Sequence, residues 1–178
     1  LQERHLGLVP PSEVADLEMR LDALAEQLSI DADAWKHLRP VRIDVPSSET
    51  PMPLLLAGKI IAIASDAAFA FIYPANLDCL RAMGAKLRFF SPLENEPVPS
   101  EADAVYLPGG YPELHAAPLS EADVWKTSIR KAHGKGVPIV AECGGMMAIV
   151  NTLNDQHGHA WPMTGLLPGR GTLQKRLG

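Results

Sequence analysis

Apolar residues in this chain follow two rhythms, and the points where one gives way to the other predict its elements. Four short apolar runs, residues 59–64, 86–90, 104–107 and 137–141, have the length and the β-branched or aromatic content of buried strands. Between them, apolar positions recur every three or four residues. Pro74 starts one such stretch through Leu77, Leu80 and Met83, and Gly84 stops it. Ser120, with Asp123 three residues later, resembles a capping box that opens a helix with Trp125, Ile129 and Ala132 on its inner side; Gly134-Lys135-Gly136 closes it. A last helix is expected from Gly144 onward, carrying Met147 and Val150. Buried strands that alternate with helices predict an α/β fold, a mostly parallel sheet covered by helices and beginning near Gly58.

The residues before Gly58 have a different texture. Val14, Leu17, Leu21, Leu24 and Leu28 fall at helical spacing behind Ser12, which is suited to cap them, and Glu13, Asp16 and Glu18 occupy the first turns. A shorter helix is expected over residues 31–38, with Ala34, Trp35 and Leu38 on one side and Arg39-Pro40 ending it. Four prolines between Pro40 and Pro53, with Ser47, Ser48, Glu49 and Thr50, offer little to bury. The division expected is therefore a helical tail, residues 1–39, a linker, residues 40–57, and a main domain, residues 58–178.

Composition narrows the functions. The net charge is −5, and no basic block is interleaved with aromatics, so nucleic acid and anionic membranes are poor partners. The longest apolar stretches are broken by Ser65 and Asp66, well short of the ~18 residues of a membrane span. Cys79 and Cys143 stand 64 positions apart, which suits neither a metal set nor a secreted disulfide framework and favours a reducing cytoplasm. With Leu1 first and Gly178 last, the chain reads as a piece of a longer protein.

The chemistry concentrates at two strand ends. Pro138-Ile-Val-Ala-Glu-Cys143-Gly144-Gly145 sets a cysteine between a buried strand and a helix, with two glycines that let the backbone bend sharply. A nucleophile elbow has this form, and a helix start behind the sulfur would favour its thiolate. The N–H of Gly144 would then face an oxyanion on the attacked carbonyl. A small buried cysteine beside a strand would account for the same letters. Tyr106-Leu-Pro-Gly109-Gly110-Tyr-Pro-Glu113-Leu-His115 follows another strand, and its glycines can present N–H groups to an anionic transition state or simply make a β-turn. Taken together, the two turns favour acyl transfer from a carbonyl substrate.

In order along the chain, Asp66-Ala-Ala-Phe-Ala-Phe with Tyr73-Pro-Ala-Asn-Leu, Phe90-Ser-Pro-Leu, Leu107-Pro-Gly-Gly-Tyr-Pro-Glu-Leu-His-Ala116 and Ala141-Glu-Cys-Gly-Gly145 resemble the cobyrinic and hydrogenobyrinic acid a,c-diamide synthases. Glu3-Arg-His-Leu-Gly-Leu-Val9 resembles the end of that family's ATP-binding domain, and Gly165-Leu-Leu-Pro-Gly169 the segment after its elbow. The resemblance implies a flavodoxin-like sheet of the class I glutaminase type. It also implies amidation of the a and c carboxylates of a corrin ring in cobalamin biosynthesis, with ammonia drawn from glutamine and with ATP and Mg. By the same resemblance Cys143 attacks glutamine, and Gly109, Gly110, Gly144, Tyr111 and Glu113 bind glutamine or its oxyanion. No metal ligand set is implied.

The departures are absences. No Gly-x-x-x-x-Gly-Lys-Ser/Thr occurs, since Gly58-Lys59 has Pro53 five positions before Gly58 and Ile60 after Lys59. ATP and Mg are therefore expected on the ATP-binding domain of the whole protein and not on this stretch. None of His5, His37, His115, His133, His157 or His159 matches the family's histidine base, so this stretch alone is expected to be inactive. His115 reads as a loop-stabilising residue. Glu142 should point to the other face of its strand, in a structural pair or in solvent. Cys79, Met146 and Met147 read as packing, and Asp155, His157 and His159 as a polar turn. Two other classes remain open: a non-catalytic flavodoxin-like binding module, and a cysteine-elbow protein of the stress-response type.

Overall fold

A computed structural model describes residues 9, 11–43, 52–155 and 157–172. Glu3, His5 and the rest of the first motif up to residue 8, the middle of the expected linker, the Ser12 side chain and the last six residues lie outside the described residues. The chain divides into two compact units, Leu1–Pro51 and Met52–Gly178.

In the first unit, helix α1 spans Leu17–Gln27 and α2 spans Ala32–Lys36. The first helix starts later than its leucine spacing predicts. Asp16, at φ 55°, turns the chain sharply just before it and makes no side-chain cap. The second helix is capped as short helices need: Asp31 Oδ1 accepts the N–H groups of Asp33 and Ala34.

In the second unit, strands β1 (Ile60–Ala64), β2 (Lys86–Phe90), β3 (Ala104–Leu107) and β4 (Ile139–Ala141) form a parallel sheet in the order β2-β1-β3-β4. This is the flavodoxin-like order, in which the chain reverses direction beside its first strand and ligands gather at the carboxyl ends of the strands. Alternate residues feed two cores. Ala62, Ala64, Val105 and Leu107 pack with Leu119, Trp125 and Ile129 on one face; Ile61 and Ile63 pack with Leu77, Leu80 and Leu87 on the other. Helix α3 (Pro74–Ala82) covers the second face, while α4 (Ala116–Glu121) and α5 (Asp123–Gly134) cover the first. Residues 52–57, inside the expected linker, belong to this unit: Leu56 donates its N–H to Met83 O and packs on the Ile61 core.

Three local expectations are corrected. Ser120 does not cap α5; it lies within α4 and donates its hydroxyl to Ala117 O. The cap comes from Asn95, whose Oδ1 accepts the N–H groups of Val124 and Trp125 at 2.9 and 3.2 Å. The elbow helix α6 is a single turn, Gly144–Met147, and Val150 instead opens a strand. That strand, β5 (Val150–Asn154), joins β6 (Ala160–Pro162) and β7 (Leu167–Thr172) in a second sheet, ordered β6-β5-β7, that the residue pattern did not predict. Ile149 and Val150 are β-branched and suit a strand better than a helix end.

Asp155 organises the turn between β5 and β6. Its carboxylate accepts the N–H groups of His157 and His159 and the indole N–H of Trp161 at 2.8–3.0 Å. The Trp161 bond comes first among the causes that hold its pKa down, to about 2.

Asn95 stands at φ 56°, so Asn95→Gly removes only the cap whereas Asn95→Ala removes the cap and also forces a Cβ into the left-handed region. Urea unfolding should show Asn95→Ala less stable than Asn95→Gly by about 1 kcal/mol; equal stabilities would contradict this. Because folding lowers the Asp155 pKa, its stabilising contribution is complete above the ordinary carboxylate value of 3.8 and is lost as pH falls through about 2. Asp155→Asn should therefore flatten the fall of Tm between about pH 4 and pH 2.

Candidate active site

β3 and β4 lie side by side, with Leu107 paired to Ala141, and both leave the sheet at its carboxyl edge. After β3 the chain runs through Pro108, Gly109, Gly110, Tyr111 and Pro112, all buried, into a 3₁₀ turn, Pro112–His115. After β4 one further rung forms, Glu142 N–H to Leu107 O at 3.1 Å. Cys143 then takes φ 48° and ψ −117°, a conformation that costs a non-glycine residue ~1–3 kcal/mol and that surrounding structure must hold. Gly145 N–H to Glu142 O and Met146 N–H to Cys143 O close the turn at 2.8 and 3.1 Å. The residue left at its apex is Cys143, a free, exposed cysteine.

The glycines of both turns are there because backbone meets backbone. A Cβ on Gly145 would fall 2.2 Å from Leu107 O, and one on Gly144 would fall 2.5 Å from Gly110 O. A Cβ on Gly110 would fall 2.1 Å from Ala68 O; Gly109 instead faces side chains, where a Cβ would fall 3.2 Å from the Phe71 ring and 3.3 Å from the Cys143 Cβ. Gly109, Gly110, Gly144 and Cys143 are thus brought together from two strand ends. Gly144 is the first residue of α6, where a helical N–H has no intrahelical acceptor. Tyr111 and Glu113 are buried in the turn behind.

A third segment takes part that the residue pattern gave no role. Phe71 donates its N–H to Gly109 O at 3.0 Å, and its ring meets Tyr111 edge-on at 5.3 Å. Asp66 sets this loop after β1: its carboxylate accepts the N–H of Ala68, the Ser91 hydroxyl and the N–H of Leu93 at 2.8–3.0 Å. An aspartate two residues past a buried strand, with Ala68 N–H in reach, is an Asx-turn signal visible in the sequence.

Residues 60–177 match the CobB/CobQ-like glutamine amidotransferase domain. The chain belongs to that family. It is 57% identical over 177 residues to the cobyrinate a,c-diamide synthase of Herminiimonas arsenicoxydans, covering 99% of this chain and 40% of that protein. The hydrogenobyrinate a,c-diamide synthases of Pseudomonas aeruginosa and Brucella anthropi are 48% and 43% identical, again over 99% of this chain and 40% and 41% of theirs. The chain therefore spans about two-fifths of the length of these relatives.

Other side chains of the amidotransferase domain fall where packing puts them. Cys79 is exposed on α3, not packed; beside Asn76 and Leu80 it lines an open cavity with Tyr106 and Glu142. Met146 is exposed and Met147 half-buried. Glu142 points to the α3 face and accepts the Tyr106 hydroxyl at 2.5 Å. Burial, then the Glu142 hydrogen bond, pushes the Tyr106 hydroxyl pKa well up. Among the described histidines, half-buried His115 follows the Gly109-Gly110 turn, while His37, His133, His157 and His159 sit on other elements.

Gly144→Ala should separate the two turns, since its Cβ meets the backbone oxygen of Gly110 and nothing flexible. The expected loss is about 2 kcal/mol or more in urea unfolding. Gly134→Ala, with open space around its Cβ and at the end of α5, should be neutral or stabilising by up to about 1 kcal/mol. Equal effects from the two variants would contradict the close approach.

Proposed function

We propose that the second unit is the glutaminase part of an ATP- and glutamine-dependent amidoligase that amidates the a and c carboxylates of cobyrinic or hydrogenobyrinic acid in the cytoplasm. The observation that carries this reading is an exposed thiol on a strained elbow packed against a second glycine turn, in a chain of the amidotransferase family. Residues 1–39 are read as the helical tail of a preceding ATP-binding domain, and the linker to it as residues 40–51, since residues 52–57 belong to the second unit.

In this reading the Cys143 thiolate attacks the side-chain amide carbon of glutamine. The carbonyl electron pair moves onto oxygen, and the N–H groups of Gly144 and Gly110 stabilise the charge at about 3 Å. Collapse of the intermediate breaks the C–N bond, ammonia leaves with a proton, and water then cleaves the γ-glutamyl thioester to glutamate. Each transfer needs a proton donor or acceptor, and no histidine of this chain matches the family's base.

Among the described residues, Gly58-Lys59 does not fit ATP phosphates. Gly58-Lys59 leads into strand β1 and not into a helix, and the Lys59 ammonium is held by Asp103 at 2.9 Å. Asp103 also accepts the Ile60 N–H, the first cause of its lowered pKa. In this reading ATP and Mg are taken by the ATP-binding domain of the whole protein.

A glutamine-analogue electrophile tests the assignment. Both cysteines are exposed, so exposure alone would let both react. Mass spectrometry should find Cys143 modified first and protected by glutamine, with Cys79 lagging. Equal labelling, or no protection, would overturn the glutaminase reading.

A further inference from the structure

The Tyr106–Glu142 bond stands apart from everything assigned so far. Tyr106 lies on β3 opposite Val140 of β4, and Glu142 follows two residues after Val140, so both side chains share the α3 face. The tyrosine ring is anchored, half-buried against the Ile61 and Ile63 core, whereas the glutamate is exposed. An exposed glutamate ordinarily keeps its rotamer freedom; here it accepts a short hydroxyl bond at 2.5 Å.

All three polar groups of Glu142 are therefore committed. Its N–H goes to Leu107 O, its C=O takes the Gly145 N–H, and its carboxylate takes the Tyr106 hydroxyl. The next residue is Cys143, at φ 48°. Fixing Glu142 at three points fixes the direction in which the chain enters that strained turn, and with it the height of the sulfur over Gly109 and Gly110. We propose that Tyr106 and Glu142 are a positioning pair for Cys143: the hydroxyl-to-carboxylate bond ties the elbow strand to the strand of the glycine turn and holds the thiol in line with the oxyanion donors. The pair acts through the backbone, from the face opposite the core that holds Leu107, and does not touch glutamine. This inference rests on the glutaminase reading.

The test uses the full-length synthetase, with glutamine and then free ammonium as nitrogen source. Glu142→Ala and Tyr106→Phe should each lower glutaminase kcat about tenfold with KM for glutamine unchanged, since small misplacements of a reacting group act on rate. The double variant should lose no more than either single one, because both remove the same bond. Glu142→Gln, which still accepts the hydroxyl, should stay within about threefold of the parent. Ammonium-driven amidation should be unchanged in all four, which separates positioning from a damaged fold. Loss in Glu142→Gln equal to that in Glu142→Ala, additive losses in the double variant, or a parallel loss with ammonium would each overturn the proposal. Cys143→Ser is the separate control on the parent reading: if it retains glutaminase activity, that reading fails, whatever the pair variants do.

Discussion

The site depends on one steric constraint: at the ends of β3 and β4, backbone packs directly on backbone. Gly144 lies against the carbonyl of Gly110, Gly145 against that of Leu107, and Gly110 against that of Ala68. No side chain fits at those points, and the distances leave no slack for one. The strained Cys143 backbone is the counterpart of that packing. A cysteine would leave such a conformation in a free turn; here the last rung of the β3–β4 ladder and the two closing hydrogen bonds hold it.

Everything beneath the site serves to keep two strand ends level. The parallel order puts β3 between β1 and β4, so the Gly109-Gly110 turn is flanked by the loop after β1 and by the elbow after β4. Asp66 fixes the first of these neighbours through three hydrogen bonds, and the Glu142 backbone and side chain fix the second. Fully buried Leu107, Trp125 and Ile129 anchor the sheet from below on one face, and Ile63 on the other. Rigid strands thus carry short loops, the arrangement that the proposed acyl transfer requires to keep its reacting group within a narrow tolerance.

Much of this was legible in residue order, because the relevant signals are local. β2 and β3 occupy the residues their apolar runs predict, and β4 begins two residues late because Pro138 offers no N–H to a ladder. The Cys-Gly-Gly and Pro-Gly-Gly turns were visible for the same reason. What escaped was non-local or ambiguous. Asn95 caps α5 from 28 residues upstream of its first residue, Asp123, and no spacing rule reveals such a cap. The second sheet was hidden because Met146, Met147 and Val150 continue a helical spacing through a segment that turns into a strand.

A crystal structure with an aldehyde analogue of glutamine would test the central claim most directly. The aldehyde adds a thiol to give a thiohemiacetal, whose oxygen stands where the oxyanion of amide hydrolysis would form. The account predicts that carbon bonded to Cys143 Sγ, with its oxygen about 3 Å from both the Gly110 and Gly144 nitrogens and the turn backbone unmoved. An adduct on Cys79, or one on Cys143 whose oxygen faces solvent away from both glycines, would contradict it.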